Sequence, residues 1–148
     1  QRPQKDYIGR YVHGQRLLSY FKSEPLPLEK AIQESLRKAL TRSGVETALL
    51  PGWDGKAESM KKLGADTVLM IVIDKFWLEG SVLSLRSRMH ASIHLSFYFG
   101  VKKLGKVFVR NVFVEKNRAF GAADPEAMAQ WINRTFADAL DSSLRNAY

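Results

Sequence analysis

The chain has 148 residues, a length suited to one domain, and its 45% hydrophobic and 26% charged content belongs to a globular rather than a disordered protein. It contains no cysteine, which excludes disulfides, thiolate chemistry and cysteine-ligated zinc or iron–sulfur clusters. The formal net charge of +8 is uneven: residues 86–118 carry eight Lys/Arg against one acid, Glu115. A field of that kind either attracts anionic partners or simply solvates one face.

Residues 7–14 make a short stretch bounded by glycine, and residues 16–21 read as a modest strand. Two prolines within 23–27 end the extended structure. From Leu28 the period changes. Leu28, Ile32, Leu36, Ala39 and Leu40 fall on one stripe, with Pro27 suited to the first helical turn and Gly44 to the C-terminal cap, which predicts an amphipathic helix. Residues 45–50 then read as a strand closed by Pro51 and Gly52. Asp54 is placed to cap a short helix in which Ala57, Met60 and Leu63 share a face, and Gly64 stops it.

Residues 66–78 hold the longest unbroken apolar run, 68–73, far short of the ~20 residues needed to span a bilayer. A strand that apolar needs cover on both faces, which predicts a central place in the sheet. Glu79-Gly80 reads as the turn that follows. Next comes the strongest periodicity. Leu83, Leu85, Met89, Ala91, Ile93, Leu95, Phe97 and Phe99 alternate with Ser84, Arg86, Arg88, His90, Ser92, His94, Ser96 and Tyr98, and only Ser87 interrupts the apolar row. That pattern is a strand with one buried and one wet face.

Residues 100–105 form a lysine-bearing turn and 106–118 the return strand. In it Val107 and Val109 are out of phase with Val112 and Val114, which predicts a β-bulge near Arg110-Asn111. Asp124-Pro125 opens the last helix, whose stripe is Met128, Ile132, Phe136, Ala139, Leu140 and Leu144, with Trp131 at the edge. The expected fold class is α+β: a largely antiparallel twisted sheet with two long helices and one short helix packed on one face, in a single domain over 1–148.

His90 and His94 are the one H-x-x-x-H pair, but on a strand four residues span roughly 13 Å, too far to share one ion. His13 stands alone, no G-x-S-x-G occurs, and Asp66 and Asp74 merely flank the apolar strand. No cofactor, metal or catalytic site is expected, and the chain reads as a binding or structural module rather than an enzyme. The candidate binding residues are basic: Arg86, Arg88 and His90 on the wet row, Arg110 across the hairpin, and Lys102, Lys103 and Lys106 at its tip. An anionic lipid surface or an envelope protein suits them. The alternative is a cytoplasmic binder of single-stranded nucleic acid, which normally adds stacking aromatics; only Tyr98 falls on the wet row.

Several segments together resemble the YajG-like family of bacterial lipoproteins. They are Gln1-Arg2-Pro3 followed by Tyr7-Ile8-Gly9, the helix over 28–40 closed by Arg42-Ser43-Gly44-Val45, the long strands around Glu79-Gly80, and Asn117-Arg118-Ala119-Phe120 before the last helix. The resemblance is one of pattern and spans most of the chain. It implies a secreted precursor acylated at an N-terminal cysteine, a periplasmic domain tethered to the outer membrane, and an initial strand preceding Gln1. The lipobox cysteine is not among these residues, and the family brings no enzymatic activity to carry over, which leaves a binding or structural role with a protein, peptidoglycan or lipid partner.

Overall fold

The computed structural model describes residues 7–13, 17–22, 27–50, 52–83, 86–121 and 125–145. Among them are five strands, β1 (Tyr7–His13), β2 (Leu17–Lys22), β3 (Thr67–Leu83), β4 (Arg86–Val101) and β5 (Lys106–Phe120), in the spatial order β2-β1-β3-β4-β5. The helices are α1 (Leu28–Arg42), α2 (Ala57–Met60) and α3 (Pro125–Arg145). The fold is α+β. Its sheet is mixed rather than wholly antiparallel, because β1 runs parallel to β3 while the other neighbours are antiparallel. The chain makes the β1–β2 hairpin, leaves through α1, and lays β3 on the edge of β1 that β2 does not occupy. The apolar strand is thereby the middle one of five, as its composition demands.

α1 ends as its sequence dictates. Gly44 takes the left-handed conformation at φ 79°. Its N–H donates to Thr41 O at 3.0 Å and the Val45 N–H donates to Leu40 O at 3.0 Å, the paired bonds of a Schellman motif. Val45 also packs in one cluster with Leu40, the hydrophobic contact that accompanies this cap. At the other end Pro27 precedes the first helical residue, and its carbonyl accepts from Ala31 N at 2.9 Å. Gly44→Ala forces a Cβ into left-handed backbone and is expected to cost about 1 kcal/mol, read as a lower unfolding midpoint at unchanged m-value.

One face of the sheet carries the main core. Met89, Ala91, Ile93, Leu95 and Phe97 of β4, with Phe76 and Leu78 of β3, pack on Leu28 and Ile32 of α1 and on Met128, Trp131, Phe136 and Leu140 of α3. Phe76 meets the edge of Phe136 at 6.1 Å between ring centres. A β-bulge exists, but not where the valine phase placed it. β5 pairs with β4 without interruption from Val101–Lys106 to Ser87–Phe120. The extra residue is Asp74 of β3, where the register steps from Ile73–Leu95 to Lys75–His94. Its cause is visible in the sequence: Leu69, Ile71 and Ile73 are odd-numbered, Phe76 and Leu78 even, and one inserted residue keeps both sets on the helix side. In β5 no such device is needed. Val112 and Val114 face the helices, and Val107 and Val109 face the other way.

The second face is covered at one end. Trp53, Met60 and Val68 form a separate cluster with Leu63, Ala65, Met70, Tyr98 and Val107. Val68, Met70, Tyr98 and Val107 lie on the face opposite to the main core, so α2 and its flanks sit across the sheet from α1 and α3. The short helix therefore does not share a face with the long ones. Gly100 makes this possible, since a Cβ there would stand 2.6 Å from Met60 Sδ.

Two further expectations are corrected. Residues 45–50 form no strand; they run irregularly along the surface with Leu49 exposed. Glu79-Gly80 is not a turn. Both residues continue β3, Gly80 pairing with Met89, and the hairpin closes at Leu83–Arg86. Asp124 as helix cap, Pro51 as stop, Leu85 in the apolar row, Gly14, residues 23–26 and the Gln1-Arg2-Pro3 segment lie outside the described residues.

Candidate functional site: the helix-free half of the sheet

Beyond the α2 cluster no helix among the described residues covers the second face, and its cross-strand rows follow from the register. From the covered end they are Met70–Tyr98–Val109, Val72–Ser96–Asn111, Lys75–His94–Phe113, Trp77–Ser92–Glu115 and Glu79–His90–Asn117. Arg10 of β1 and Tyr20 of β2 extend the last row, and Arg88 follows it.

Polar groups on this face partner one another. Ser96 Oγ donates to Asp74 Oδ2 at 2.5 Å and lies 3.0 Å from Asn111 Oδ1. The Trp77 indole N–H donates to Glu79 Oε2 at 2.6 Å, while Arg10 holds Glu79 Oε1 in an ion pair. At the centre is Glu115, opposite Ser92 and therefore midway between the two histidines of β4. Its Oε1 accepts from Ser92 Oγ at 2.6 Å and lies 2.8 Å from His94 Nε2, and its Oε2 lies 2.7 Å from His90 Nε2. His90 Nδ1 is 2.6 Å from Asn117 Oδ1, and His94 meets Phe113 edge-on at 4.9 Å. A single carboxylate spans the gap between the two histidines. Among the described residues no group of three or more His, Asp or Glu is arranged to hold a metal.

The hydrogen bond from Ser92, then that from His94, holds the Glu115 carboxyl down at about 2, with His90 lowering it further and burial opposing them. A carboxyl with a lowered folded-state value contributes stability above its ordinary range and loses it as pH falls toward the folded value. Wild-type melting temperature is therefore expected to fall more steeply between about pH 4.5 and 2 than that of Glu115→Gln, with the two curves converging at the acid end. Parallel curves across that window would contradict the arrangement.

The basic residues singled out from the sequence are not brought together. Arg86 and Arg88 lie on the helix-free face near one end of β4, and His90 is tied to Glu115 and Asn117. Lys102 and Lys103 sit in the turn Lys102–Leu104 at the far end, some 50 Å along the strand at the usual rise. Lys102 is committed there, its Nζ donating to Leu63 O at 2.8 Å. Lys106 starts β5, and Arg110, opposite Phe97, is on the helix side, where Nη1 donates to Ser143 O of α3 at 3.0 Å. Arg110 and Arg86 thus belong to opposite faces. Sequence reasoning missed Glu115 as an organiser, although counting outward from the 100–105 turn places it opposite Ser92.

A different concavity lies on the other side of the sheet, an open groove of about 480 Å³ between α1 and α3, lined by Arg37, Lys38, Arg42, Phe136, Leu140 and Asp141. Arg37 there is paired with Glu34 at 3.0 Å.

The architecture is that of an α+β domain with one sheet face half bare. No protein-family model and no curated protein matches the sequence. A crystal structure described as that of an uncharacterized protein is similar over 96% of this chain and 82% of its own, at 13% identity and a TM-score of 0.46, a level that carries no assignment.

Proposed function

We propose that this chain is the non-enzymatic, partner-binding domain of a bacterial cell-envelope lipoprotein, held on the periplasmic side of the outer membrane by a lipid attached ahead of Gln1. The compartment rests on the family resemblance. The binding role rests on one observation, the bare half of the sheet. Val109, Val72 and Phe113 occupy three successive rows there and are 55%, 38% and 68% exposed, although the opposite face of the same strands is packed. Exposed apolar side chains set among polar groups on an uncovered sheet face are what a protein partner covers.

Catalysis has little support on this face. Each of the carboxylates of Asp74, Glu79 and Glu115 is engaged by its neighbours, and the Ser92 and Ser96 hydroxyls donate to Glu115 and Asp74. A flat anionic membrane is a poorer fit than a protein, because Arg86 and Arg88 are remote from Lys102 and Lys103, and Arg110 is on the other face. Tyr98, the one aromatic of the wet row of β4, packs in the Trp53 cluster and is not free to stack on a base.

Fractionation of cells producing the whole precursor tests the compartment. The protein should sediment with outer membranes and be released by detergent but not by salt. Recovery in the cytoplasmic soluble fraction would overturn the envelope assignment.

A further inference from the structure

We infer that the outer edge of β5 is a docking site for an extended acidic segment of another protein, which adds to the sheet as a sixth strand. This deepens the partner-binding reading and rests on it, but not on the compartment.

β5 is 15 residues long, lies at the end of the strand order, and keeps an unbroken register with β4. Edge strands are ordinarily blunted by being short, by bulges, by proline or by charged side chains that repel a second copy. β5 is long and has neither bulge nor proline, and its outer backbone groups have no strand partner among the described residues. What it has is charge. Lys106, Arg110, Lys116 and Arg118 all fall on its helix side, opposite Val101, Phe97, Ala91 and Met89. Lys106 and Lys116 are exposed and form no ion pair among the described residues. The one acid of the strand, Glu115, projects to the other face and is consumed by Ser92, His90 and His94.

The charge selects the occupant. A second copy of β5 laid antiparallel on the first would set basic rows against each other, and like charges across strands are destabilising. An acidic strand meets the opposite situation. The two faces differ, so the pattern of the incoming segment is specified as well. On the helix side it runs beside Lys106, Lys116 and Arg118, with Phe108, Arg110, Val112 and Val114 between them, and is acidic opposite the cations; on the other side it runs beside Val109 and Phe113, which are exposed, and is apolar there. The segment alternates Glu or Asp with Val or Phe, and main-chain hydrogen bonds supply the pairing.

The probe is a fluorescein-labelled ten-residue peptide alternating Glu with Val and Phe, titrated into the whole domain and followed by anisotropy. Saturable binding is expected, with slowed amide exchange in β5 and unchanged exchange in β2. Methylating alternate peptide nitrogens, replacing Glu by Lys in the peptide, or changing Lys106, Lys116 and Arg118 to Glu in the protein should each weaken binding at least tenfold. Equal binding of the N-methylated peptide would reduce the effect to charge alone and overturn strand addition. Absence of binding by the acidic peptide, or a concentration-dependent dimer protected along β5, would overturn the assignment of the occupant. Because two of the comparisons alter only the peptide, a poorly folded protein variant does not obscure the result. Failure here leaves the fractionation result standing on its own.

Discussion

Replacing Phe97 by alanine is expected to cost about 3–5 kcal/mol, enough to remove a large share of a small domain's stability. Phe97 of β4 is fully buried, opposite Ile71 on one side and Arg110 on the other, and its ring lies 6.2 Å from that of Phe99. It belongs to the cluster that joins the sheet to α1 and α3, and the helices cannot collapse onto a smaller residue without giving up their own contacts. At this size the midpoint should fall by about 10–15 °C in a thermal melt. Phe113→Ala is the internal control. The same truncation on the bare face should shift stability by no more than ~0.5 kcal/mol. Equal losses at the two positions would mean that the buried and open faces are assigned the wrong way round.

Gly9→Ala should be nearly as damaging for an unrelated reason. A Cβ at Gly9 would stand 2.2 Å from the carbonyl oxygen of Leu78 and 2.6 Å from its Cβ. Both belong to the central strand, so no rotamer change gives relief, and β1 must move away from β3. The pairs from Gly9–Leu78 to His13–Val82, through which the β1–β2 hairpin joins the sheet, are then weakened together. A loss of about 3 kcal/mol, at the upper end of overpacking costs, is expected. Amide exchange should accelerate in β1 and β2 while β3 to β5 keep their protection. A loss below about 1 kcal/mol would show that β1 approaches β3 less closely than this.

What the sequence disclosed depended on whether neighbouring residues alone carried the signal. α1 and its cap were legible because the 3.6-residue stripe and Gly44 are local. The two faces of β4 were legible because alternation continues long enough to exclude other readings. The bulge was misplaced because the run 68–73 is apolar at every position, which hides the phase change around Asp74, while the visible phase slip in β5 reflects valines on two different faces. Glu79-Gly80 resembled a turn only because nothing local shows that Arg10 and Trp77 hold Glu79 in a strand. The face chosen by α2 depends on Gly100, forty residues downstream of Met60.

The same distinction governs the candidate site. The count of basic residues in 86–118 was correct, but charge density along a chain says nothing about facing. On two long strands the residues separate into one end, the opposite end and the reverse face. Glu115, which looked like a lone exception in a basic stretch, is the group that ties together His90, Ser92 and His94. It is also the one acid of β5, and it projects to the face opposite the basic side chains of that strand.

The central claim is that the bare side of the sheet meets a protein partner in the envelope. The direct measurement is photo-cross-linking in living cells, with p-benzoylphenylalanine replacing Phe113 on the bare face or Gln33 on the exposed side of α1. A discrete adduct with one envelope protein from position 113, absent from position 33, is the predicted result. No adduct at 113, or the same adducts from both positions, would contradict it.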